Sequence, residues 1–336
     1  MELLIVILAL VFAVINGFHD GCNVIATIVS SRSMSPRAAI GIACVAEFIG
    51  AITLGSAVAL TLGQGVLSPV VFGLPASALY AVLLGTLLAG IGWNMITWAL
   101  GLPSSSSHAL IGGLIGGGFM AAGLEAVLWR PLLAWVIVPM LLSPPLGFAV
   151  AYLLMKLLTG FLRNFPPGVN FLLKKIQLGS MVFLAASHGS NDAQKAMGII
   201  VLALTAGAPR VFHVPPWVMI ACAGAMALGL SFGGWRIIKT VGRQVSKMTP
   251  LHSLDSQLAS GLIVYAASML GFPVSTTQIT ASSVVGAGAA CRVTSVRWTV
   301  TKNIISAWLV TIPASAALSA LIVFLIQVAS RRFFSL

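Results

Sequence analysis

The chain has 336 residues, of which 59% are hydrophobic and only 7% charged, where soluble domains carry about 25% charged residues. At a mean hydropathy of +1.06 it has too few charges to clothe a water-facing surface, which excludes a cytosolic enzyme, a secreted disulfide scaffold and a disordered tail. The net charge of +12 is scattered in small groups between apolar stretches, not gathered in a basic run with aromatics, so a nucleic-acid partner is excluded and a lipid bilayer is the expected surrounding.

A spanning helix needs about 20 mostly apolar residues. In chain order such stretches run 2–31, 38–62, 77–100, 103–120, 131–160, 176–206, 213–235, 257–271, 273–290 and 303–328. The first has neither a basic leader nor a small-residue cleavage site, so it reads as a retained span, interrupted by a polar run at 16–23. The stretches 103–120 and 273–290 are short, rich in Gly, Ser and Thr, and follow a Gly-x-Pro. They read as second arms of re-entrant hairpins with non-helical tips at 101–108 and 271–278. The fold class is therefore an all-α polytopic membrane protein.

Sidedness follows from the basic residues. If the crossings alternate, Arg32, Arg37, Lys156, Arg163, Lys174, Lys175, Arg236, Lys239, Arg243, Lys247, Arg292, Arg297 and Lys302 share one side. Arg130, Arg210, Arg331 and Arg332 lie opposite. Positive loops stay in the cytoplasm, which predicts a multi-pass protein of the cell membrane with both termini outside. The basic, amphipathic stretch 236–256 is expected to lie on the inner membrane surface. Cys22, Cys44, Cys222 and Cys291 are far apart inside apolar stretches, which speaks against a disulfide framework or a zinc site.

Two motifs recur. Asn16-Gly17-Phe18-His19-Asp20-Gly21-Cys22-Asn23 is echoed by His188-Gly189-Ser190-Asn191-Asp192-Ala193-Gln194-Lys195, and Gly101-Leu102-Pro103-Ser104-Ser105-Ser106-Ser107-His108 by Gly271-Phe272-Pro273-Val274-Ser275-Thr276-Thr277-Gln278. The order is kept and the spacing nearly so, hence the chain divides into a first repeat over 1–160, a cytoplasmic linker over 161–175 and a second repeat over 176–336. The first copy enters from outside and the second from the cytoplasm, so the repeats have inverted topology, the plan many secondary transporters use for alternating access.

Only six acidic residues occur, and Asp20, Glu47 and Asp192 fall inside predicted spans. A carboxylate at the bilayer centre costs about 2.5–3.5 kcal/mol on insertion scales, so it is rarely idle. The alternative is a carboxylate tied up in a helix-to-helix hydrogen bond. Small residues around Asp20 and Asp192 suggest broken helices whose N-termini face an anion while carboxylates and free carbonyls hold a cation. Ser105, Ser106 and Ser107, with Ser275, Thr276 and Thr277, either cap helix starts or donate to a ligand. His108 and Gln278 close the two clusters and Asn23 and Asn191 accompany the acids, so these four are further candidate donors. Lys195 sits one turn after Asp192, placed for an intrahelical ion pair or for attracting an anion. His19 and His188 flank the acids and read as hydrogen-bonded structure more than as ligands. An intramembrane serine hydrolase is disfavoured because Ser and His merely adjacent in sequence at 104–108 do not make a catalytic pair and a hydrolase would not need a duplicated acidic motif, and a channel because carboxylates paired with anion donors suit coupled transport.

These duplicated motifs resemble the signature of the PiT family of inorganic phosphate transporters. The resemblance spans residues 2 to about 328. It implies an inverted-repeat symporter, commonly a homodimer, that carries phosphate with Na+ or H+ and needs no cofactor. It places phosphate among Asp20, Asn23, Ser105 to Ser107, Asn191, Asp192 and Ser275 to Thr277, and the coupling cation at Asp20, Asp192 and Glu47, with sodium at the two aspartates. Cys22 departs from the commoner form of the first motif. A few members carry sulfate, so a sulfate or other oxyanion permease of the same fold is the alternative.

Overall fold

The computed structural model describes residues 1–166, 168–206 and 212–334, so the expected outer-side Arg210 lies outside the described residues. Helix starts are written locally. Ser35 ahead of Pro36, Ser68 ahead of Pro69 and Thr249 ahead of Pro250 each accept a hydrogen bond from a first-turn N–H, the cap-then-proline arrangement that satisfies orphan donors. Among the described residues the α-helices are α1 Glu2–His19, α2 Gly21–Ser30, α3 Pro36–Thr53, α4 Ala57–Gly65, α5 Pro69–Gly73, α6 Ala76–Ala99, α7 Ser106–Ala122, α8 Trp129–Pro131, α9 Val138–Leu162, α10 Val169–Leu204, α11 Pro216–Ser231, α12 Trp235–Lys239, α13 Pro250–Met269, α14 Thr276–Cys291 and α15 Trp298–Phe334. Among the described residues the sole β feature is an isolated bridge between Leu67 and Val127.

Among the described residues seven helical stretches are long and apolar enough to cross a membrane, eight if the pair Pro216–Ser231 and Trp235–Gly242, bent by 62°, counts as one span. The stretch expected at 38–62 divides at Thr53, where Gly55 takes φ +90°. The connection between the halves is short, because α9 ends at Leu162 and α10 has begun by Val169, inside the expected linker. The basic segment after α11 turns back into the protein. Ile237, Ile238, Val241 and Val245 are buried against Val24, Ile25 and Ile28 of α2, so its apolar stripe is covered by protein instead of lipid.

The acidic motifs differ from expectation in one respect. At the first, α1 and α2 are separated by Asp20 alone, which keeps near-helical dihedrals of φ −93°, ψ −35°. At the second there is no break: α10 runs through all of His188–Lys195. Its glycine serves packing instead. A Cβ on Gly189 would run into the Glu47 carbonyl of α3, and one on Gly50 into the Ala186 carbonyl of α10. The same main-chain contact joins α1 to α11, where Gly17 faces Met226 and Gly229 faces Val14. It also joins α7 to α15 through Gly112 and Gly116, and α14 to α9 through Gly286 and Gly147.

Both hairpins form. Leaving α6 and α13, the chain turns at Gly101 (φ +68°) and Gly271 (φ +75°), a left-handed conformation that costs other residues about 1–2 kcal/mol. It then starts α7 and α14 on Ser105 and Ser275, which accept from the N–H of His108 and Gln278.

Candidate functional site

Four pieces of chain meet at one buried place: the α1–α2 junction, the middle of α10, and the two hairpin tips. The tips touch each other, Ser107 Oγ donating to the Val274 carbonyl at 2.9 Å and Gln278 Nε2 lying 3.4 Å from His108 Nδ1. Asp20 is 2% and Asp192 1% exposed, so neither carboxylate sees bulk solvent.

Asp20 draws on both tips at once. Ser106 Oγ of the first donates to Oδ2 at 2.5 Å, and Thr277 Oγ1 of the second donates to Oδ1 at 2.9 Å. His19 Nδ1 lies 2.6 Å from Oδ1, and Thr97 carries that contact onward to Ser104, 3.3 Å from His19 Nε2 and 2.7 Å from Ser104 Oγ. Asn23 Nδ2 donates to Thr277 Oγ1 at 3.0 Å. A carboxylate with this many donors is held in place by them, since an unpaired buried charge is expensive.

Asp192 has a different shell. Lys195 Nζ stands 2.7 Å from Oδ1 and His188 Nε2 3.5 Å from Oδ2, while Thr276 Oγ1 donates to Oδ1 at 3.4 Å. His188 is shared, because its Nδ1 lies 2.6 Å from Glu47 Oε1. Glu47, His188, Asp192 and Lys195 thus form one buried ionisable chain from α3 into α10. Asn16 ties the two acids together: with its amide nitrogen turned toward them, an orientation set by the donor pattern, it donates to Asp20 Oδ2 at 2.9 Å and Asp192 Oδ2 at 3.3 Å.

The residues singled out in the sequence fall into three groups. Asp20, Asn23, Ser106, Thr277, Asp192, Thr276 and Lys195 share the central network, with Glu47 joined to it through His188. Ser107, His108 and Gln278 form the tip-to-tip contact. Ser105 and Ser275 are helix caps, and Asn191 binds hairpin two from outside the network, its Nδ2 donating to Ser268 Oγ and the Phe272 carbonyl. Sequence reasoning read His188 and His19 as hydrogen-bonded structure without naming their partners and passed over Asn16. The signal for all three was their place inside the repeated motif beside the acids. Gln194, also in that motif, is structural: its Oε1 accepts from Val58 and Ala59 N–H and caps α4.

Chemically the centre offers hydroxyl, amide and ammonium donors beside two carboxylates, a set that fits a tetrahedral oxyanion still carrying a proton. Asn23 Oδ1, Asn191 Oδ1 and Glu47 Oε2 are buried oxygens with no protein donor, suited to a cation or a proton. Among the described residues no group of three or more His, Cys, Asp or Glu is disposed to hold a metal ion. A cavity of about 340 Å³ is lined in part by His108 and Gln278, but its walls, including Phe148, Trp298 and Trp308, are mostly apolar.

The sequence pattern described as "Phosphate transporter family" matches residues 16–319. The chain is 41% identical over 325 residues to a "Probable low-affinity inorganic phosphate transporter" of Rhizobium meliloti, covering 95% of both chains. It is 40% identical over 330 residues to a protein of the same name from Bacillus subtilis, covering 97% of both. A solved structure titled "The sodium-dependent phosphate transporter" superposes with a TM-score of 0.87 over 97% of this chain and 99% of that one, at 24% identity, a likeness of fold.

Proposed function

Because the chain belongs to the phosphate transporter family, we propose that it imports inorganic phosphate across the cell membrane by symport with a cation through alternating access. The observation that carries this reading is the double hold on Asp20. One carboxylate takes hydroxyl donors from both hairpin tips, so a movement of either tip remakes the site. Tetrahedral phosphate can replace those hydroxyls as the acid's partner. Near neutral pH it keeps at least one proton and can donate to a carboxylate, whereas fully deprotonated sulfate can only accept. That favours phosphate over sulfate.

The coupling ion is Na+ or H+, and the two acids are not equivalent toward it. Near Asp20 lie the hydroxyl oxygens of Ser106 and Thr277 and the unpartnered Asn23 Oδ1, with no ammonium among its partners, which suits sodium as well as a proton. Asp192 already has an ammonium at 2.7 Å, and sodium there would face a like charge in a low-dielectric interior. The Glu47–His188–Asp192 chain suits a proton instead, passed between groups already within contact. A homodimeric assembly with both termini outside completes the reading.

The test is labelled phosphate uptake into proteoliposomes under a sodium gradient or a proton gradient, imposed separately, with excess sulfate as competitor. Uptake should follow one gradient and ignore sulfate, and Asp20→Asn should lower it at least a hundredfold with the protein still folded in the membrane. Wild-type uptake by Asp20→Asn would sink the assignment, and block by sulfate would promote the oxyanion alternative.

A further inference from the structure

A second polar cavity, about 690 Å³, lies at the far end of α2 from Asp20. Helix α2 has 10 residues, so at 1.5 Å per residue the two places are about 15 Å apart. Its walls come from three parts of the chain: Ser30, Ser31 and Arg32 at the end of α2, Gly242, Ser246 and Lys247 between α12 and α13, and Ser295 and Arg297 just before α15. Cations and hydroxyls face it, and among the described residues no carboxylate does. Basic loops on the cytoplasmic side need no special explanation, but that tendency does not require three cations from separate loops to line one concavity.

Three features show that the place is built. Ser246 is 4% exposed and its Oγ has no partner, and the Ser30 Oγ is likewise buried and unpartnered. Such a hydroxyl costs about 1–3 kcal/mol unless something bonds it. Arg32 takes φ +55°, alone among the described non-glycine residues in having a positive φ, and strain of this kind gathers where function over-determines the backbone. The loops are also held in register. The Arg297 N–H donates to the Val245 carbonyl at 2.9 Å, and a Cβ on Gly242 would run into Ser30 Oγ, so the cavity floor closes only on glycine.

We propose that this cavity is a second oxyanion site, for a phosphate group held by Arg32, Lys247 and Arg297 and by the Ser30 and Ser246 hydroxyls. Guanidinium forks and an ammionium-type point charge around a tetrahedral oxyanion are the expected complement. Free inorganic phosphate and an anionic lipid headgroup share that chemistry. The proposal rests on the transport reading only for which of the two is at hand; the site itself is independent of the central one.

The experiment is equilibrium binding to the purified full-length protein in neutral detergent. Labelled inorganic phosphate is the probe in one arm and phosphatidylglycerol in the other. Wild type is compared with Arg32→Gln/Lys247→Gln/Arg297→Gln and with Ser246→Ala, folding being checked by unfolding temperature. The triple variant should bind one equivalent of phosphate fewer than wild type, or bind phosphatidylglycerol at least tenfold more weakly, and the first or second result names the source. High salt should weaken the same equivalent, because the cations are exposed to screening. Ser246→Ala, which keeps every charge, should weaken it several-fold. Equal binding of both probes by wild type and the triple variant would overturn the proposal. Asp20→Asn is read separately: it should remove the central equivalent and leave this one, so failure of the central reading is visible as an Asp20→Asn protein that binds like wild type.

Discussion

Within each Ser/Thr cluster the hydroxyls have unequal duties. Ser275 Oγ is spent on the Gln278 N–H, whereas Thr277 Oγ1 donates to Asp20 and accepts from Asn23. Ser275→Ala should therefore cost about 1 kcal/mol of stability, the usual worth of a cap, and leave the KM for phosphate within a few-fold. Thr277→Val preserves shape but strips a donor from a buried carboxylate, and uptake should fall more than tenfold. Phosphate kinetics and unfolding temperature on the two variants separate these outcomes, and equal kinetics would refute the division. The sequence could place a cap in each cluster but not say which hydroxyl filled it, since that depends on where the first helical turn begins. The partners of His188 were hidden for a related reason. Its second partner, Glu47, sits 141 positions away in another helix, and no local pattern reports such a contact.

At the scale of elements, the glycines sort by what they touch. Gly286→Ala would drive a methyl into the Phe148 carbonyl of α9, and overpacking of this kind costs about 1–3 kcal/mol. Gly224, inside α11, has nothing within 4 Å of its would-be Cβ, so Gly224→Ala should be neutral or stabilising by up to about 1 kcal/mol through helix propensity. Thermal unfolding in detergent reads both, and an unchanged Gly286→Ala protein would refute the close-contact account. The same distinction explains why α10 runs unbroken where small residues suggested a gap. A glycine that lets a helix end and a glycine that lets two helices touch look alike in sequence, and only the position of Glu47 behind Gly189 decides. The hairpins were legible because Gly-x-Pro followed by hydroxyls is a strong local instruction for a turn and a new helix start. The division at Thr53 was not, since 38–62 is apolar apart from Glu47 and a few hydroxyl residues, and the turn rests on Gly55 alone.

For the whole molecule, apolar length gave the class and the repeated motifs gave the meeting of four chain segments. What it withheld was which stretches cross completely, because α13 and α14 carry polar faces that the other helices cover. Sidedness has a direct test. Cys291 is exposed at the end of α14, whereas Cys22 and Cys222 are buried. With both termini outside, a membrane-impermeant maleimide should leave Cys291 unlabelled in intact cells and label it in inside-out vesicles; the reverse pattern would invert the topology. A mechanical consequence follows from the pairing of α7 with α15 and of α14 with α9. Rods that meet main chain to main chain at Gly112, Gly116, Gly147 and Gly286 have no soft side-chain layer in which to shear. Each hairpin arm and its long neighbour are one stiff lever, with Pro313 inside α15 and Pro144 and Pro145 inside α9, and with the tips that grip Asp20 at the short ends.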